Sequence, residues 1–191
     1  MNLTNDAPTK QQIRALMRER EKQLTPAELS SRSEEIMRRF ESLPEFLHAR
    51  TVLLYVSIPG EVETLGFIGK WAGGKRIALP LVKGEELELR LYRPDGLTAG
   101  YRGIPEPSSS CPVIDPAEID LAIVPGTAFQ ADGEKVWRLG RGKGFYDRLL
   151  PHLSCPLYAA AFHFRLVGNL PVDAWDIPLD GICTEKEGEI L

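Results

Sequence analysis

The sequence predicts a single α/β domain, a three-layer sandwich with a mostly parallel sheet flanked by helices, on three observations. The chain has 191 residues, a length suited to one domain that buries about 70% of its unfolded surface. The runs TVLLYVS (Thr51 to Ser57) and DLAIV (Asp120 to Val124) are apolar on both faces, as parallel strands between helices are. Segments of helical spacing separate such runs, and that alternation makes a sheet covered on both sides.

Taken in order, Thr9 and Gln12 form a capping box, and Ile13, Leu16, Met17 and Leu24 recur at helical spacing, predicting a helix to about Gln23. Thr25, Pro26 and Glu28 stand at N-cap, N1 and N3 of a second helix, whose stripe Leu29, Ser33, Ile36, Met37 and Phe40 ends before Pro44. The strand Thr51 to Ser57, a short helix from Thr64 to Trp71 ended by Gly73 and Gly74, and a strand Arg76 to Val82 make a βαβ unit. Leu87, Leu89 and Leu91 alternate with charged residues, marking a half-exposed strand near an edge, and Asp95-Gly96 turns the chain. Pro105 to Pro116, rich in Pro and Ser, reads as a surface loop. After DLAIV come a long glycine-rich loop, a helix from about Gly144 to Leu150 and a strand Leu157 to Phe162. The tail from Asp176 carries a short strand around Ile182 and a hairpin.

Hydrophobic residues are 43% and charged residues 26% of the chain, the balance of a globular protein. A formal net charge of -4 argues against non-specific nucleic-acid binding. Cys111, Cys155 and Cys183 are odd in number and lack CxxC spacing, which fits a reducing compartment. No run reaches the ~18 apolar residues of a membrane span, and the start lacks signal-peptide order, so a cytoplasmic location without membrane contact is expected. His48, His152 and His163 show no ligand spacing, and the tryptophans read as packing.

The segment after DLAIV carries the chemistry. PGTAFQADGEKVWRLGRGKGFYDR holds Gly126, Gly133, Gly140, Gly142 and Gly144 with Arg138, Arg141 and Lys143. Glycines let backbone N–H groups approach a ligand, the following helix N-terminus adds positive potential, and loops after strands are where α/β sites lie. G-R-G-K-G opening a helix is thus a candidate anion nest, though neither a Walker A loop nor a dinucleotide fingerprint. Asp147 follows closely; it is either a first-turn helix residue paired with Arg148 or a carboxylate bridged to phosphate by magnesium. Lys10 and Arg14, one turn apart on the first helix, either snorkel at the surface or lean over a pocket. Glu61 is either an exposed loop carboxylate or an acceptor for ligand donors, and Asp180 serves a turn or a site.

In order and spacing, Lys10 to Arg14, VSIPGEVET, G-I-P-E-P at Gly103 to Pro107, DLAIVPGTAF, RLGRGKGFYDR and LDGICTE make the chain resemble the 5-formyltetrahydrofolate cyclo-ligase family, also called methenyltetrahydrofolate synthetases. The resemblance runs nearly end to end, and RLGRGKGFYDR is its specific block. It implies a Rossmann-like sandwich of the phosphosugar-isomerase and CoA-transferase kind. It also implies an enzyme that uses ATP and magnesium to close 5-formyltetrahydrofolate to the 5,10-methenyl form, acting on small molecules as a monomer or weak dimer. The γ-phosphoryl group would turn the formyl oxygen into a leaving group for attack by the 10-nitrogen, so that catalysis is positioning and charge stabilisation.

By position, the resemblance implies that Lys10 and Arg14 contact the ATP phosphates, and that Arg138, Leu139, Gly140, Arg141, Gly142, Lys143, Gly144, Phe145 and Tyr146 form the nucleotide-binding loop. Arg141 to Phe145 would also border folate and the transferred phosphoryl group, with Arg141 and Lys143 catalytic. Val56 and Glu61 match substrate positions, and Asp147 and Asp180 match magnesium positions. Against the family pattern, the stretch between Phe129 and Arg138 is about three residues longer. Gln130 stands for a common Asp, Phe145 for Tyr, Arg165 near a frequent Gln, and Trp175 for His. These departures keep a second reading open, a folate- or nucleotide-binding relative without turnover.

Overall fold

The computed structural model describes residues 8–186. Helix α1 (Lys10–Glu21) opens on the Thr9–Gln12 capping box and α2 (Pro26–Phe40) on the Thr25–Glu28 box, both as the sequence predicts. A short α3 (Pro44–His48) follows, with Pro44 at its start, and leads into β1 (Thr51–Leu53). Then come α4 (Leu65–Trp71), β2 (Arg76–Lys83), β3 (Glu86–Leu91), β4 (Leu97–Ala99) and β5 (Pro105–Pro107). The second half runs β6 (Leu121–Val124), β7 (Ala128–Asp132), β8 (Lys135–Leu139), α5 (Phe145–Leu149), β9 (Leu157–Ala160) and β10 (Gly181–Cys183).

The main sheet has six strands in the order β10-β9-β6-β1-β2-β3. All neighbours are parallel except the edge strand β3, which is antiparallel to β2. Strand residues alternate between two cores. Val52, Ile77, Leu79, Leu121 and Ile123 join Ile36, Phe40, Phe46 and Ile68 of α2, α3 and α4 on one face. Leu53, Ala78, Ala122, Val124 and Ile182 join Phe129, Val136, Leu149 and Leu150 on the other. The third layer is thus partly a hairpin. Helix α1 docks on that hairpin, Ile13 and Met17 meeting Ala128, Leu139 and Leu170. Among the described residues, no helix is long and apolar enough to cross a membrane.

Five expectations are corrected. The strand read as Thr51 to Ser57 leaves the ladder after Leu54, whose N–H still donates to Ala78 O at 2.9 Å. Beyond it, Thr64 takes the place of a neighbouring strand: its hydroxyl donates to Tyr55 O and accepts from Ser57 N–H at 3.1 Å. The long glycine-rich loop is largely the β7–β8 hairpin, registered Phe129↔Arg138 and turned at Gly133 with φ +60°. The segment read as a loop from Pro105 begins as β5, paired with β4. The last strand, β10, lies parallel to β9 rather than in a hairpin, and residues 187–191 fall outside the described residues. Of the tryptophans, Trp71 packs on Phe46 with centroids 5.0 Å apart, whereas Trp175 is 68% exposed.

Candidate functional site

The chain leaves β1 through α4 towards β2, and leaves β6 through α5 towards β9, on the other side of the sheet order. The crevice beyond the carboxyl ends of the adjacent strands β1 and β6 is therefore the topological switch point, where open α/β sheets bind ligands. A cavity of about 350 Å³ lies there, lined by Tyr55, Val56, Ile58 and Glu61 after β1 and by Pro125 and Gly126 after β6. The rest of its wall includes Pro80, Val82 and Leu87 of β2 and β3, most of the segment from Arg138 to Asp147, and Tyr101, Ile104 and Glu106.

The G-R-G-K-G segment forms the nest. Gly142 and Gly144 hold φ of +94° and +70°, a region that L side chains rarely adopt. Among the described residues, no protein acceptor takes the N–H groups of Arg141 to Phe145. Unpaired backbone donors at glycine turns are what anions bind. Helix α5, at five residues, adds little dipole, so the attraction rests on those donors and the side-chain cations. Arg148 braces the segment, donating to Lys143 O at 3.0 Å and Glu85 O at 2.9 Å. Its guanidinium also lies where a side chain on Gly144 would go, 2.6 Å from the position of the Cβ that glycine lacks.

The cations take different partners. Arg138 is a strut within the protein rather than part of an open loop. It stands on β8 with its side chain 4% exposed, pairs with Asp147, and donates to Pro125 O at 3.3 Å. A Cβ on Gly140 would lie 3.0 Å from the Arg138 guanidinium, and one on Gly126 would meet Phe129 first, at 2.4 Å, and the Arg138 side chain at 3.0 Å. Asp147 therefore pairs with Arg138 and not with Arg148. Arg14 reaches from α1, its Nε donating to Gly140 O at 3.0 Å and its guanidinium 3.5 Å from the Cβ that Gly142 lacks. Lys10 lies outside the cavity lining, bonded to Asp173 at 2.6 Å and Asp176 at 3.2 Å. The Lys143 ammonium has no partner among the described residues, although Lys143 lines the cavity.

Glu61 faces the same cavity, its carboxylate accepting from Ile58 N–H at 3.2 Å and Arg141 Nε at 3.1 Å. Burial raises its pKa above the ordinary 4.5, against the opposing pull of Arg141, the Ile58 N–H and Arg165. A carboxyl whose folded pKa is raised costs no stability well below 4.5, costs more as pH rises from there through the raised folded value, and keeps that cost constant beyond it. Glu61→Gln is accordingly expected to raise the thermal unfolding midpoint at neutral pH and leave it unchanged in acid. Equal effects at both would contradict this assignment. The hydroxyls of Tyr55 and Tyr146 also have raised pKa values, with burial as the main cause, and stay neutral.

Asp180 is not brought to Asp147. It precedes β10 at the amino ends of the parallel strands, where its carboxylate accepts from Leu157 N–H at 2.8 Å, whereas Asp147 lines the cavity beyond the carboxyl ends. Among the described residues, no cluster of three or more His, Cys, Asp or Glu side chains could hold a metal. Asp147 by itself fits a magnesium held by one carboxylate plus phosphate and water, since only its Oδ1 is bonded to Arg138.

Sequence reasoning assigned no role to Arg165. It is 4% exposed and donates to Glu21 at 2.8 Å, to Thr127 O at 3.0 Å and to Gly60 O, so it ties α1 to the loops after β1 and β6. It also missed Tyr101, whose ring meets Phe145 edge-on at 6.0 Å, and Glu106, whose only signal was its place in G-I-P-E-P. The extra residues between Phe129 and Arg138 fall at the hairpin, and residues 130–137 do not line the cavity.

The family model described as the 5-formyltetrahydrofolate cyclo-ligase family matches residues 6–185. A 5-formyltetrahydrofolate cyclo-ligase of Escherichia coli is 33% identical over 90% of this chain and 98% of its own length. The NMR structure of a 5,10-methenyltetrahydrofolate synthetase from Aquifex aeolicus is 36% identical, with a TM-score of 0.83 over 93% of this chain and 90% of that one. A synthetase of the same name from Mycoplasma pneumoniae, 24% identical, shares the fold with a TM-score of 0.75 over 94% of this chain and 100% of that one.

Proposed function

Because the chain belongs to the 5-formyltetrahydrofolate cyclo-ligase family and is an enzyme of it, we propose that this cavity binds ATP and 5-formyltetrahydrofolate and closes the folate to 5,10-methenyltetrahydrofolate. The γ-phosphoryl group passes to the formyl oxygen. The 10-nitrogen then attacks the formyl carbon, and phosphate departs.

The observation that carries this reading is the convergence of two kinds of group on one cavity. The unpaired donors and cations of residues 140–145 suit a phosphoryl group, and Glu61 suits the amino and ring N–H donors of a pterin. Arg141 links the two sides. It neutralises Glu61 before ligands arrive, and turns to the phosphoryl group when pterin donors take that carboxylate. Lys143 supplies charge throughout the transfer, and Arg14 presses on Gly142 from behind the nest. Lys10 reaches phosphates only by leaving Asp173 and Asp176. Val56 forms an apolar part of the folate wall. Magnesium would be held by Asp147 with phosphate oxygens, and supplies neutralisation of the phosphoryl charge.

The test mixes protein, 5-formyltetrahydrofolate, magnesium and ATP and follows methenyl absorbance in the near ultraviolet together with ADP. One ADP per methenyl product is the expected result. Tight folate binding without ADP would replace the reading with a binding protein that has lost turnover.

A further inference from the structure

Glu106 has no role in the chemistry so far. It stands on β5 opposite Thr98 and is 6% exposed, yet it lines the cavity. Among the described residues its carboxylate has no hydrogen bond and no ion pair. Gly100 explains its seat, since a Cβ there would lie 2.3 Å from Glu106 Oε2. The carboxylate thus rests against bare backbone, in a wall shared with Tyr101, Ile104 and Phe145. An unpaired carboxylate in the wall of a cavity is free to take a donor or a cation that enters it. Arg138 is held by Asp147, and in the cyclo-ligase reading Arg141 and Lys143 serve the phosphoryl group when ligands are bound. The missing partner is therefore on the ligand.

Resting on the cyclo-ligase reading, we propose that Glu106 is the catalytic base for ring closure and the counter-ion of its product. As the 10-nitrogen forms its bond to the formyl carbon, its N–H proton passes to the Glu106 carboxylate. The bond from that carbon to the phosphorylated oxygen then breaks, and its electron pair leaves with phosphate. Glu106 gives the proton to the departing phosphate and is ionised again. The closed ring keeps a positive charge shared by the 5- and 10-nitrogens, and the carboxylate faces it. Glu61 is less suited to this work, because Ile58 N–H and Arg141 already occupy its oxygens. Both oxygens of Glu106 are free of protein partners among the described residues, so it can take the proton and then face the cation.

The experiment compares wild type, Glu106→Gln and Gly100→Ala, the last of which keeps the carboxylate but pushes it from its seat. Glu106→Gln is expected to lower kcat by about 100-fold or more with the KM for ATP unchanged. Equilibrium binding should show the affinity for the cationic methenyl product falling about tenfold further than that for neutral 5-formyltetrahydrofolate. Gly100→Ala should give the same pattern in milder form, and it serves alone if Glu106→Gln does not fold. Turnover close to wild type, or an equal loss of affinity for both folates, would overturn the role of Glu106 while leaving the cyclo-ligase reading in place. No methenyl product from wild type would overturn that reading and this inference together.

Discussion

Lys143→Ala is expected to lower turnover by about 100-fold, the usual cost of removing a fixed positive donor from a site of developing negative charge. Arg138, Arg141 and Arg14 each have a protein partner, whereas the Lys143 ammonium has none among the described residues. Its charge is therefore fully available to a phosphoryl group. The same availability makes it dispensable to the fold, so the variant should melt with the wild type. Steady-state rates set beside a thermal melt provide the check. Unchanged turnover would remove Lys143 from the reaction, and a large loss of stability would assign it to the fold instead.

Phe129→Ala carries the largest expected loss of stability, about 3–5 kcal/mol, or roughly 10 °C in melting temperature. The ring is fully buried in the core that faces the β7–β8 hairpin. Its tip approaches Gly126 so closely that a Cβ there would lie 2.4 Å from Phe129 Cζ. Opposite it in register stands Arg138, whose guanidinium holds Asp147. Loss of the ring frees the hairpin to shift, so folate and nucleotide affinity should fall along with stability. A melting temperature within a degree or so of wild type would show that the hairpin is held by other contacts.

The parts of this molecule legible in the sequence are those that local chemistry determines. Thr9 and Thr25 cap their helices through residues three positions on, and the apolar runs that begin at Thr51 and Asp120 supply the central strands, the first of them shorter than its run. What was illegible depended on distant partners. Strand β1 stops because Thr64 bonds Tyr55 and Ser57. The hairpin read as a loop because Gly133 and charged residues obscure the alternation of Val136, Trp137 and Arg138. Candidate site residues followed the same division. Residues 140–145 make a nest because glycine conformations are local, whereas Asp180 has its place fixed by Leu157 on a neighbouring strand. Chain order alone did not show at which end of the sheet its carboxylate would stand.

Strand β10 has a bearing on how the polypeptide matures. Its Cys183 Sγ donates to Ile36 O of α2 at 3.6 Å, across 147 positions of sequence. Arg39 of α2 likewise donates to Glu185 O at 3.0 Å. During synthesis, the apolar stripe of α2 must therefore wait for almost the whole domain to leave the ribosome before this neighbour can cover it. Closing so long a loop is slow, and an unpaired β9 edge beside an uncovered helix favours misassociation. Nascent chains halted before residue 181 should be the ones that chaperones retain.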